Sequence, residues 1–132
     1  MQALEHHIEA RIDMSLGRII EEYFSLLDAG EADKASALFE TGGRISAPWE
    51  ADMAPLAFIK EHMESAPFRS HKILDMLFSE SGQSAAVHFE YSSRKKDGLE
   101  NPTYIGCDHF KFAPSGKIEN LSIYCHSKQP AG

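Results

Sequence analysis

The apolar positions of this chain change period once, near Pro67. Upstream, Ile12, Leu16, Ile19, Ile20, Tyr23, Phe24 and Leu27 recur at three- and four-residue steps, the stripe of an amphipathic helix. Gly30 stands where the residue beyond the last turn takes the left-handed conformation, so the helix stops there. A short second helix is predicted next, with Asp33 near its start and Ala35, Leu38 and Phe39 inward. Thr41-Gly42-Gly43 breaks it, and Arg44 to Ala47 reads as a brief strand ending at Pro48, with Glu50 and Asp52 in a loop beyond. A third helix is predicted from Ala54 to Ser65, with Pro55 in its first turn and Leu56, Ile59 and Met63 along one side.

Beyond Pro67 the period falls to two. His71 to Ser79, Ser84 to Ser93, Thr103 to Ala113 and Ile118 to Ser127 read as four strands. Ser81-Gly82, Asp97-Gly98 and Pro114-Ser115-Gly116 supply the turns between them. Helices segregated from a meander of strands predict an α+β fold, with the helices packed on one face of a curved antiparallel sheet. The expected layout is one domain over 12–128, an N-terminal extension over 1–11 and a tail over 129–132.

The last hairpin allows a register to be predicted. A turn over Pro114 to Lys117 sets Asp108 opposite Ile123, Phe110 opposite Leu121 and Gly106 opposite Cys125. Cys107 then falls on the other face from Cys125, which argues against a disulfide between them.

Composition removes whole classes of function. The 132 residues carry a net charge of −7, and Arg94-Lys95-Lys96 is the densest basic run, so nucleic acid is not an expected partner. No segment approaches the roughly 18 apolar residues of a membrane span. The N-terminus does not read as a signal peptide, and a cytoplasmic location is expected. His, Cys and carboxylate spacings match no metal site, and neither a phosphate loop nor a nucleophile elbow is present, so no metal and no cofactor is expected.

One residue breaks the pattern. Counting by twos from Asp108 gives Tyr104, Gly106, Phe110 and Phe112, so a carboxyl shares the apolar face of its strand. A carboxylate there costs several kcal/mol unless it is paired. Asp108 therefore either satisfies a buried donor or stays a neutral acid, able to donate a hydrogen bond to a developing oxyanion. Asp75 is a second candidate carboxyl: the bulk of Leu74, Met76 and Phe78 turns it outward, whereas an inward Asp75 would lie near Asp108. His88 and His126 alternate away from the inward residues, and His62 is expected on the surface or at a rim.

Three segments carry a resemblance. They are Ile19-Ile20-Glu21-Glu22-Tyr23 with Leu27-Asp28-Ala29-Gly30 and Ala37-Leu38-Phe39, then Phe89-Glu90-Tyr91, then Asp108-His109-Phe110-Lys111-Phe112 with Gly116-Lys117-Ile118. Together they resemble the nuclear transport factor 2-like superfamily, and within it the Δ5-3-ketosteroid isomerases and SnoaL-like polyketide cyclases. The resemblance implies a cone-shaped, strongly bent sheet wrapped around a long N-terminal helix, with an apolar pocket between them. It implies that Tyr23 and Asp108 match the two hydrogen-bond donors of the isomerase oxyanion hole, where a carboxylic acid is kept neutral to donate. A homodimer through the convex face, which carries His109, Lys111, Tyr124 and His126, is also implied.

The departures from that pattern are equally specific. Where the isomerases carry a carboxylate base before the proline, this chain has Ala47, which cannot take a proton. Met63 stands about where a supporting tyrosine would be, and the hairpin from Tyr91 to Tyr104 is longer than in the isomerases. SnoaL-like cyclases, by the same resemblance, manage with a single acid. The expected ligand is a small hydrophobic carbonyl compound, held among Phe24, Ala47, Trp49, Met63, Val87 and Phe89 and, from the later strands, Tyr91, Phe110, Leu121, Ile123 and Cys125. The competing expectation is a non-catalytic ligand-binding or dimerisation module of the same fold.

Overall fold

The computed structural model describes residues 16–128, with side chains described as far as Tyr124. The expected extension over 1–11, the start of the first helix at Ile12 and the tail over 129–132 lie outside these residues. The described part of the first helix, α1, covers 16–28. Its buried face is Leu16, Ile20, Tyr23, Phe24 and Leu27, as the spacing predicts. Gly30 takes φ 77°, the left-handed value expected of a residue that ends a helix. Helix α2 (Ala32–Ser36) is a little over one turn, and α3 (Pro55–Ser65) buries Phe58 and Ile59.

The sheet has six strands: β1 (Phe39–Ala47), β2 (Glu50–Met53), β3 (Phe68–Phe78), β4 (Ser84–Arg94), β5 (Tyr104–Phe112) and β6 (Ile118–Lys128). Their order is β2-β1-β6-β5-β4-β3. The last four strands form the predicted antiparallel meander. Four predictions need correction. The sheet is mixed, because β1 runs parallel to β6, and β2 is a strand in place of the predicted loop after Pro48. Strand β1 also starts at Phe39, five residues before the predicted Arg44, so Thr41-Gly42-Gly43 is an irregularity inside a strand rather than a break. Phe39 is thereby the first residue of β1 and not part of α2. The product is an α+β fold in which α1 lies against the inner face of the sheet, and the largest buried side chains, Phe89, Phe110 and Ile20, come from both layers.

Two bulges control which side chains reach the interior. In β3 the pairing runs Phe78↔Ala85, Met76↔Val87 and Asp75↔His88, then resumes at Ile73↔Phe89 and His71↔Tyr91. Leu74 is the extra residue, and an extra residue reverses which face the remainder of a strand presents. Met76 and Phe78 therefore pack on the core as predicted, Leu74 is 44% exposed against prediction, and Ile73 returns to the core side. Asp75 is exposed and its Oδ1 accepts only from the neighbouring Met76 amide, so it faces away from Asp108.

In the last hairpin Asp108↔Ile123 and Phe110↔Leu121 stand as predicted, but a second irregularity follows. Gly106 pairs with His126, and Cys107 stands directly opposite Cys125. The predicted Gly106–Cys125 pairing, and the placing of the two cysteines on opposite faces, are thus overturned by one residue of slip.

Candidate functional site

Asp108 is 4% exposed, on the inner face of β5 among the residues of the apolar core. Its Oδ1 is buried with no hydrogen-bond partner. Burial alone pushes its carboxyl from an ordinary 3.8 up to about 8, so at neutral pH the group is a protonated acid. The alternative, that Asp108 serves as a satisfied structural pair, does not fit an orphaned oxygen. Tyr23, from α1, is 2% exposed. Its hydroxyl is driven to hold its proton first by burial and second by the neighbouring Asp108 charge. Two protonated donors therefore sit close together in an apolar setting.

Both line one small cavity of about 50 Å³, together with Phe24, Leu27, Trp49, Phe58, Ile59, His62, His71, Phe89, Tyr91 and Ile123. Edge-on aromatic packing fixes the Tyr23 ring: Phe39 and Phe110 both lie 5.7 Å from it, centroid to centroid. Of the residues expected around the ligand, Phe24, Trp49, Phe89, Tyr91 and Ile123 line the cavity. Val87, Phe110 and Leu121 are buried core residues outside the lining, and Ala47 and Met63 are partly buried residues packed against the core, also outside the lining. The side chain of Cys125 lies outside the described residues, and its backbone holds a register position beside Cys107.

Sequence reasoning misses two of the lining residues. His62, expected at the surface or a rim, lines the cavity, with its ring 5.6 Å from that of Tyr91. His71 reads in the sequence only as the start of a strand. Its Nδ1 lies 2.6 Å from Asp28 Oδ1, and its backbone amide donates to Asp28 Oδ2 at 2.9 Å. The ring packs among Tyr91 (4.8 Å), Phe24 (4.9 Å) and Phe89 (5.6 Å). The Tyr91 hydroxyl is a second buried polar atom without a hydrogen-bond partner. Burial raises its pKa, an effect only partly offset by nearby Ser93 and Arg69.

Arg69, two residues before His71, holds this corner together. It donates to Leu27 O and to Ala66 O, both at 2.6 Å, and so caps the ends of α1 and α3 with one cation. A separate open groove of about 840 Å³ lies where the long β4–β5 hairpin folds over the β3 edge, beside Ser70, Ser92, Asn101 and Thr103. No buried unpartnered polar atom faces it among the described residues, so the smaller cavity is the candidate site.

The fold is that of the nuclear transport factor 2-like proteins. An NTF2-like protein of unknown function from Exiguobacterium sp. 255-15 superposes with a TM-score of 0.68 at 20% identity, over 80% of this chain and 95% of that one. The Δ5-3-ketosteroid isomerase from Mycobacterium sp. gives 0.70 at 14% identity, over 84% and 92%. The epoxide hydrolase/cyclase-like enzyme SalBIII, from pyran ring formation in salinomycin, gives 0.71 at 17% identity, over 84% and 90%. No family model matches the sequence, and no curated protein matches it. No helix among the described residues is long and apolar enough to cross a membrane.

Proposed function

We propose that this protein is a small-molecule enzyme of the ketosteroid isomerase or SnoaL-like type, acting beside a carbonyl group without a cofactor. Asp108 carries the proposal: a neutral carboxylic acid with one unpartnered oxygen, buried beside a tyrosine that also keeps its proton. As the carbonyl oxygen gains negative charge, Tyr23 and Asp108 donate hydrogen bonds to it, and the apolar surroundings strengthen both bonds. Proton transfer, cyclisation and dehydration next to the carbonyl all pass through such an enolate-like charge. The enzyme names of two structurally similar proteins, an isomerase and an epoxide hydrolase/cyclase-like enzyme, support this class. A cavity of about 50 Å³ is well below the usual few hundred Å³ of drug-sized sites, so the expected ligand is a single-ring compound rather than a steroid. The outer strand face, with Tyr124 64% exposed beside His109, is proposed as the homodimer contact.

The test is an absorbance titration with 4-nitrophenol, which distinguishes its own phenol from its phenolate. Binding as the phenolate at a pH where the free compound is neutral is the expected result. Loss of that signal in both Asp108→Asn and Tyr23→Phe would support the assignment, and retention in both would overturn it. The second reading, a non-catalytic binding module, is favoured by Ala47 together with the small cavity. It predicts binding of apolar ligands with no shift toward phenolate.

A further inference from the structure

We infer that His71, held by Asp28, is the proton acceptor of this site and does the work that a carboxylate at Ala47 would do. The inference rests on the oxyanion-hole reading above and supplies its missing half. Ala47 has no proton-accepting group, and the structure places one elsewhere, on β3 and α1. A carboxylate only accepts, so the bond from His71 Nδ1 to Asp28 Oδ1 puts the ring proton on Nδ1 and the lone pair on Nε2.

Three further observations make this more than a structural pair. Asp28 spends both of its oxygens on His71, one on the ring and one on the backbone amide, which fixes the ring's position and tautomer together. The His71 side chain is 5% exposed and stacked among three aromatic rings, yet it lines the same cavity as Tyr23 and Asp108. Asp28 is also the last residue of α1, where a negative charge opposes the helix dipole. A position where the helix dipole disfavours a carboxylate still holds an aspartate, aimed at a histidine.

The chemistry closes without any outside reagent. Nε2 takes the proton from the carbon next to the carbonyl, and the C–H electron pair becomes the carbon–carbon double bond of an enolate. The carbonyl π pair moves onto oxygen, which receives hydrogen bonds from Tyr23 and Asp108. The imidazolium then returns a proton to carbon, at the same or a neighbouring position. Asp28 acts through His71 and is a positioning residue.

The experiment follows exchange of the α-protons of cyclopentanone in deuterated buffer by NMR, with 4-nitrophenol binding measured on the same samples. Wild-type protein is expected to accelerate exchange. His71→Gln should lose roughly 10²-fold or more of the acceleration while still binding 4-nitrophenol as the phenolate. Added imidazole should restore part of the rate to His71→Ala, a recovery that a purely structural histidine would not give. Asp28→Asn should lower the maximal rate with little change in the cyclopentanone concentration giving half of it. An unchanged rate in His71→Gln would overturn the assignment of the base, as would absence of exchange in a wild-type protein that binds the phenolate. In either case the oxyanion hole would stand. Failure of phenolate binding in the wild type would instead remove the oxyanion hole, and the base with it.

Discussion

Phe89 occupies the space that a side chain at Gly106 would need. A Cβ at Gly106 would lie 2.5 Å from Phe89 Cζ and 3.0 Å from both neighbouring ring carbons, well inside van der Waals contact. The two residues are direct partners on β4 and β5, and Phe89 is 2% exposed, so the ring has nowhere to retreat. Gly106→Ala is therefore expected to cost about 1–3 kcal/mol of unfolding free energy in urea. Because Phe89 is also a cavity wall, the same substitution should weaken 4-nitrophenol binding. Combining it with Phe89→Leu should recover part of both losses. Additive effects would disprove the contact.

Asp108 makes stability depend on pH in an unusual direction. Its carboxyl has a pKa of about 8 when folded against an ordinary 3.8, so the folded state holds the proton more tightly. The stabilisation is complete below about pH 4 and is lost as pH rises toward about 8, at up to roughly 1.4 kcal/mol per pH unit. Asp108→Asn removes the titrating group at nearly constant shape. The stability difference, wild type minus Asp108→Asn, should fall across that window. A flat difference would mean that the carboxyl is ionised at neutral pH.

The bulge at Leu74 is a place where both a substitution and a deletion are expected to be tolerated. Leu74→Ala, at a half-exposed position outside the core, should change stability by no more than about 0.5 kcal/mol. Deleting Leu74 removes only the extra residue, and Ile73 and His71 stay opposite Phe89 and Tyr91 on the inner face of a strand that now alternates without interruption. That variant is expected to stay folded and to keep the hydrogen-bond signature of the His71 ring proton in NMR, and loss of that signature would show that the bulge itself positions His71.

Asp28→Ala would strand two donors at once, the His71 ring N–H and its backbone amide. A cost of roughly 1–3 kcal/mol follows from leaving buried donors unmet, read as a lower midpoint in chemical unfolding. Asp28→Asn retains an acceptor for one donor and should cost less. Equal costs would show that the pair contributes charge alone.

The meander was legible because each turn is written in the sequence: Ser81-Gly82, Asp97-Gly98 and Pro114-Ser115-Gly116 tie neighbouring strands into hairpins. The pairing of β1 with β6 was not, since parallel strands far apart in the chain leave no turn to read. Tyr23 and Asp108 were legible as polar groups on apolar stripes. His71 was not, for a reason of parity: carried back from Phe78↔Ala85 without a bulge, the register sets His71 opposite Ser92, facing outward. One surplus residue, Leu74, carries no distinctive signal and reverses that assignment. Asp28 had a fainter mark, standing four residues after Phe24 on the inward stripe, where a carboxylate is as unexpected as the one at position 108.

The turn between β1 and β2 adds a built-in reporter. Trp49 is the chain's sole tryptophan, and it is 63% exposed while its inner side touches the candidate cavity. Indole emission shifts to the blue and changes yield when water leaves its neighbourhood, so the protein broadcasts the filling of its own pocket at a single wavelength. Candidate compounds can be screened in solution by this light alone, with no label attached and before any substrate has been identified.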